Sequence, residues 1–329
     1  MFISVSKSSF NKLIAKYKKI QKDFLNEFGV DDIISNSKIY EILIADSLNH
    51  ILIPGHSGSK DAKDQEGNLF EYKHYKETSS NHSWTFNDYT DNTIENLKLV
   101  KFVIFAHIND TTNTYVFDWY YAVSGTTVSK YLHEKTTNIE NQRKMINVSP
   151  KQIEQIMGIK RITVDSKRKG QYSKYIKDII KVSRDIEKLT GTTGILTSNK
   201  LWEVLIAVEL GHKVNSEQGG RSGAHDAFDK EGNCYEYKIS KTHSWSFQDI
   251  SKNVLQKYLS DKKIILAVVD KQNYSIKNIF SAEPRLVVKL LKKKLEDKIK
   301  RYKSRRKTIR RIQATITKTD LQMIAEKLI

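Results

Sequence analysis

The chain has 329 residues, with 56 Lys and Arg against 38 Asp and Glu (net charge +18), 39% apolar residues and one cysteine. That length suits two domains with their own cores, and the composition excludes a disordered chain. Cys234 alone excludes an intrachain disulfide or a multi-cysteine zinc site, no apolar run is long enough to span a bilayer, and so positive a charge favours a polyanion, nucleic acid before a membrane surface.

In chain order, residues 13–29 read as a helix: Leu13, Ile14, Tyr17, Ile20, Phe24, Leu25 and Phe28 fall near helical spacing, with Gly29 as the stop. A second helix opens near Ser37, a residue suited to an N-cap, and carries Ile39, Ile42, Leu43 and Leu48. Three strands are predicted next. One lies around Asp61, and one covers residues 69–73 after a Glu66-Gly67-Asn68 hairpin turn; the third, residues 102–106, is apolar throughout and expected to be buried on both faces. Residues 158–172, with Lys160, Arg161, Lys167, Arg168 and Lys169, read as a basic, flexible connector.

The series then begins again. A helix over residues 175–191, a helix opening near Ser198, and strands around Asp226, at 234–238 and at 264–269 repeat the first set. Even the ends correspond, Ile146-Asn147-Val148-Ser149 with Thr315-Ile316-Thr317. A repeat of this length signals a duplicated domain, with halves expected at 1–160 and 161–329. Residues 289–311 are not repeated: they hold 13 Lys and Arg against Glu296 and Asp297, with Leu290, Leu291, Leu295, Ile299 and Tyr302 at helical spacing. Lys303, Arg305, Arg306 and Arg310 here, with Lys167, Arg168 and Lys169 in the connector, are the expected contacts to a phosphate backbone.

The repeat preserves chemistry. Ser57-Gly58, Asp61, Asp64, Gly67-Asn68 and Glu71-Tyr72-Lys73 return, shifted by 165 positions, as Ser222-Gly223, Asp226, Asp229, Gly232-Asn233 and Glu236-Tyr237-Lys238. Alternate side chains of a strand share a face, so Glu71 and Lys73 point the same way. Asp61 from the neighbouring strand then makes two carboxylates and one ammonium in a single cleft. Two carboxylates, the carbonyl of residue 72 and water form the hard oxygen shell that Mg²⁺ prefers, with Mn²⁺ as a substitute. The lysine beside it would orient the attacking water and offset charge developing on phosphorus. Asp64 and Asp229 suit a turn, and Glu41 and Glu203 on the preceding helices stand where an acid reaches the metal through water or simply faces solvent. Downstream, His82-Ser83-Trp84-Thr85-Phe86-Asn87 returns as His243-Ser244-Trp245-Ser246-Phe247-Gln248, shifted by 161. Its His, Ser, Thr, Asn and Gln suit base-edge hydrogen bonding. The alternating Trp84, Phe86, Trp245 and Phe247 suit the core.

The helix, the Pro54-Gly55 turn, and Asp61 followed ten positions later by Glu71-Tyr72-Lys73 resemble the PD-(D/E)XK nuclease core, more narrowly the Pvu-type Type II restriction endonucleases. The likeness recurs from about Tyr175 to Val269. It implies an α/β fold, a mixed sheet flanked by helices, present as two tandem nuclease domains in an intramolecular pseudo-dimer. It implies that Asp61, Glu71, Asp226 and Glu236 bind metal and that, with Lys73 and Lys238, they are catalytic. Where that type carries a run of histidines to read bases, this chain has His-Ser-Trp-(Thr/Ser)-Phe, which implies a different target, palindromic or nearly so. His82, Ser83, Thr85, Asn87, His243, Ser244, Ser246 and Gln248 are the matching positions. The resemblance further implies a double-stranded DNA substrate and a cognate DNA methyltransferase guarding the same site. With both halves in one chain a monomer is expected, and the single cysteine and the lack of a long apolar run lead to the cytoplasm and no membrane partner. A junction-resolving or repair nuclease, and a catalytically silent DNA-binding protein of the same fold, are the alternatives that the residues leave open.

Overall fold

Amphipathic spacing at the start of the chain yields helix α1 (Lys7–Phe28), ended by Gly29 at φ 72°. The computed structural model describes residues 5–34, 37–55, 60–111, 114–139, 144–165, 170–196, 200–215, 225–304 and 313–329. Among these, α1 is followed by α2 (Lys38–Leu48), β1 (Ile51–Leu52), β2 (Ala62–Lys63), β3 (Leu69–Lys76), β4 (Trp84–Tyr89) and α3 (Asp91–Asn96). Then come β5 (Phe102–Asn109), β6 (Val116–Ser124), α4 (Gly125–Thr136), β7 (Lys144–Val148), α5 (Pro150–Met157) and β8 (Ile162–Thr163). The second series is α6 (Ser173–Thr190), α7 (Lys200–Leu210), β9 (Lys213–Val214), β10 (Ala227–Phe228), β11 (Cys234–Ser240), β12 (Ser244–Phe247) and α8 (Lys252–Ser260). It closes with β13 (Lys263–Asp270), β14 (Ser275–Ala282), α9 (Pro284–Ser304), β15 (Ala314–Thr317), α10 (Lys318–Ile324) and β16 (Ala325–Lys327).

The fold is mixed α/β, with two mixed sheets flanked by helices. The strand orders are β1-β2-β3-β5-β6-β8 and β9-β10-β11-β13-β14-β16, the same plan strand for strand. In each sheet one pair is parallel, β3 with β5 and β11 with β13, and its neighbours are antiparallel. The parallel partners β5 and β13 are buried at six successive positions, as their apolar runs predict, and in β5 the burial extends to His107. Each half adds a two-stranded ribbon, β4 with β7 and β12 with β15. Trp84 and Trp245 anchor these ribbons: each is fully buried and donates its indole N–H to a carbonyl of the parallel partner, Ala106 at 2.8 Å and Ala267 at 2.9 Å.

The helix starts differ in detail from expectation. Ser37 precedes α2, but in the left-handed conformation (φ 62°) and without a side-chain cap bond to the helix. Ser198 lies outside the described residues.

The connector is also more structured than its composition suggests. Ile162 and Thr163 form the edge strand β8 on β6. Further on, the carboxylate of Asp46 in α2 accepts from the Gly170 N–H (3.2 Å), the Tyr172 N–H (2.6 Å) and the Ser173 hydroxyl. Tyr172 is buried, and its hydroxyl accepts from the Leu52 N–H at 3.0 Å. Only glycine fits at 170, since a Cβ there would come within 2.3 Å of the Asp46 carbonyl.

Two compact units result: residues 20–180, and residues 1–19 together with 181–329. The division therefore departs from a break at 160/161. The first part of α1 belongs with the second half of the chain, and α6 likewise contributes to both units. Within the first unit, Phe24 packs edge-on against Tyr175 at 5.1 Å. Within the second, Tyr17 stacks on Tyr274 at 5.7 Å. Helices of 22 and 18 residues are long enough to supply both cores.

Asp46→Ala strands three donors, one of them on a buried residue, and is expected to cost about 3 kcal/mol of stability. Asp46→Asn should cost less. Urea unfolding measures both, and an unchanged midpoint for Asp46→Ala would show that the 170–173 anchor carries no weight.

Candidate active sites

Both sites are assembled from a turn, a tethered aspartate and one strand. In the first turn Asp64 Oδ1 accepts from the Glu66 N–H (3.0 Å) and the Asn68 N–H (2.8 Å), with Gly67 at φ 85°. Asp229 does the same with Glu231 (3.0 Å) and Asn233 (2.9 Å), and Gly232 sits at φ 82°. The Asx-type turn is thus the role of these two acids. It sets β2 against β3, and β10 against β11, in matching registers.

The register brings Asp61 to the middle of β3, where its Oδ2 accepts from the Tyr72 N–H at 2.6 Å. Asp226 Oδ2 accepts from the Tyr237 N–H at 2.7 Å. Glu71 and Lys73 share a face and form an ion pair, as do Glu236 and Lys238. Each lysine lies over two aromatic rings, Lys73 at 5.4 Å from Phe86 and 5.5 Å from Tyr89, Lys238 at 5.5 Å from Phe247 and 5.6 Å from Tyr258. On the opposite face the tyrosine hydroxyls meet a histidine: His50 Nδ1 with Tyr72, and His212 Nδ1 with Tyr237, each at 2.8 Å. All six sequence-predicted residues are therefore brought together as two triads.

The charges are confined. Desolvation, then the charges of Glu71 and Glu41, hold the Asp61 carboxyl well above its ordinary range. Desolvation, Glu236 and Glu203 push Asp226 up to about 7. Burial works against the ammonium of Lys73, but the charge of Glu71 outweighs it and the lysine stays protonated; Glu236 does the same for Lys238. Glu41 and Glu203 are therefore electrostatic members of the sites, each also paired with a lysine one turn earlier, Lys38 and Lys200.

The sites differ at the glutamate. Glu71 Oε1 accepts from the Tyr89 hydroxyl at 2.9 Å, whereas its buried Oε2 has no hydrogen-bond partner among the described residues. Glu236 Oε2 accepts from Lys257 Nζ at 2.8 Å. With lysines on both oxygens, Glu236 is held below its ordinary pKa although desolvation opposes this. Lys257 and Tyr258 come from α8, a source that the sequence did not reveal.

A buried carboxylate oxygen with no donor is costly unless a cation takes it, so the Asp61 and Glu71 pair fits a divalent ion. Among the described residues no group of three or more His, Cys, Asp or Glu is arranged to hold a metal. Protein side chains would thus supply two carboxylates, and carbonyl and water oxygens the rest.

In the ribbons, Trp84, Phe86, Trp245 and Phe247 are buried, while His82, Thr85, Asn87, Ser244, Ser246 and Gln248 are exposed and Ser83 and His243 half-buried. Thr85 donates to the Asn147 amide oxygen across the ribbon at 2.8 Å, and His82 stacks on Tyr75 at 5.8 Å. These polar residues are not part of the triads. In α9 the buried stripe is Val287, Val288, Leu291 and Leu295, with Leu290 packed partly against the same core; Lys303 is exposed at its end. Lys167, Arg168, Lys169, Arg305, Arg306 and Arg310 lie outside the described residues.

Among the described residues no helix is long and apolar enough to cross a membrane. Compared with known proteins, the chain matches no family model and no curated sequence.

With its folded pKa near 7 and an unfolded value near 3.8, Asp226 binds its proton more tightly in the folded state. Its contribution to stability is therefore present at low pH and lost as pH rises through that window. Asp226→Asn, which cannot ionise, should gain stability relative to the parent between pH 4 and pH 8 in urea unfolding without divalent ions. A difference that stays flat across that range would contradict the confinement of this charge.

Proposed function

We infer that the chain is a Mg²⁺-dependent endonuclease of double-stranded DNA, of the Type II restriction kind in the PD-(D/E)XK superfamily. Each half cuts one strand, as a single-chain pseudo-dimer. The observation that carries this reading is the Asp–Glu–Lys triad built twice on the same strands, with the same aspartate tether and the same aromatic seat for the lysine. Surface charge drifts between the halves, yet this arrangement does not. The net charge of +18 suits a polyanionic substrate.

Asp61 with Glu71, and Asp226 with Glu236, would hold the divalent ion, which when bound polarises the phosphoryl oxygen and eases departure of the leaving oxygen. Held as ammonium ions, Lys73 and Lys238 act as donors that orient the attacking water and offset charge on the phosphate. Aromatic rings on one side of each lysine limit its motion. A two-stranded ribbon fits the major groove, so the outward polar rows of the two ribbons are assigned to base readout. Lys303, and the basic residues near it in sequence, are assigned to phosphates. A palindromic or near-palindromic target, a protecting methyltransferase and a monomeric enzyme in the cytoplasm belong to the same reading.

Digestion of unmethylated phage or plasmid DNA with Mg²⁺, followed by sequencing of the ends, tests it. Discrete fragments with one repeated end sequence are expected, whereas no cleavage, or cleavage only at branched DNA, would overturn it. Lys73→Ala and Lys238→Ala should each slow cutting of one strand by about 100-fold or more and leave a nickase for the other strand. Loss of both cuts from either change would contradict independent sites.

A further inference from the structure

On the metal-dependent reading, which this inference rests on, the two sites differ in what surrounds the strand glutamate. Glu236 is closed by lysines on both oxygens, Lys238 on Oε1 and Lys257 on Oε2. Glu71 meets Lys73 and the neutral hydroxyl of Tyr89 on Oε1, and its buried Oε2 has no hydrogen-bond partner among the described residues. The residue 161 positions before Lys257 is Asn96, which is exposed at the end of α3. There α3 gives way to a 3-10 turn over Leu97–Leu99, whereas α8 stays α-helical through Lys257 to Ser260.

We propose that the two sites are unequal by construction: the Asp61 and Glu71 pair takes a divalent cation directly, while at Asp226 and Glu236 the Lys257 ammonium stands in the cation's place and must leave before one binds. A cation and an ammonium compete for the same carboxylate oxygen. Like charges repel strongly where water is scarce, and the Lys257 side chain is only 18% exposed beside a glutamate at 6%. Lys257 is thus an occluding residue and not a catalytic one. Under limiting cation the first strand is cut before the second, and the product accumulates as a nicked duplex.

Mn²⁺ binding to the full chain without DNA tests this by electron paramagnetic resonance of the free ion, a readout independent of hydrolysis. Asp61→Asn isolates the second site and Asp226→Asn the first. The first site is expected to bind at least about tenfold more tightly, equivalent to ~1.4 kcal/mol. In the Asp61→Asn background, Lys257→Met, which keeps the stem and removes the charge, should close most of that gap, and Lys257→Arg should not. If Lys257→Met fails to fold, the comparison of the two single-site variants carries the test alone. Equal affinities would overturn the proposal while leaving the nuclease reading intact. No Mn²⁺ bound at either pair would overturn the metal assignment and the proposal together.

Discussion

An N–H in the middle of a strand, donated to a carboxylate of the preceding strand, fixes both sites. Tyr72 makes this bond to Asp61 and Tyr237 makes it to Asp226. Because the donor lies between Glu and Lys in sequence, the aspartate is placed against the face on which both project. The turn closed by Asp64 or Asp229 sets the register that makes the bond possible. Beside it the parallel, largely apolar and buried β5 or β13 holds the strand that carries the triad. Turn, tether and buried strand thus form one chain of cause, repeated in each half.

The same placement forces like charges together. Three acids, Asp61, Glu71 and Glu41 in one half and Asp226, Glu236 and Glu203 in the other, share a partly desolvated cleft with one lysine on the central strand. Lys38 and Lys200 offset the helix acids, and Lys73 and Lys238 offset the strand glutamates. What is left is an aspartate whose ionisation the fold resists, a poise that suits the proposed metal-assisted chemistry.

Much of this was legible in the sequence because strand alternation and a repeat constrain the same residues twice. Glu71 and Lys73 share a face as period two requires, Trp84 and Phe86 go inward while Thr85 and Asn87 go outward, and Asp64 closes its turn. Glu41 and Glu203, with Lys38, Lys200, His50 and His212, were equally available, since all three pairs repeat at a shift of 162. Lys257 was not, because the matching position holds Asn96 and the repeat gives no second copy of the lysine. Nor was the Asp46 anchor, which joins residues more than 120 apart and turns an apparent linker into a docked segment. The sharing of α1 and α6 between units was hidden for a similar reason. A long amphipathic helix shows which face is buried, not which core each turn serves.

The proposal that these two triads are hydrolytic centres is put to the test by the double variant Lys73→Ala/Lys238→Ala on a duplex labelled in both strands. With Mg²⁺ present, both cuts are expected to disappear while binding of the duplex, followed by fluorescence anisotropy, persists. Cutting of either strand at the parent rate would place the chemistry elsewhere.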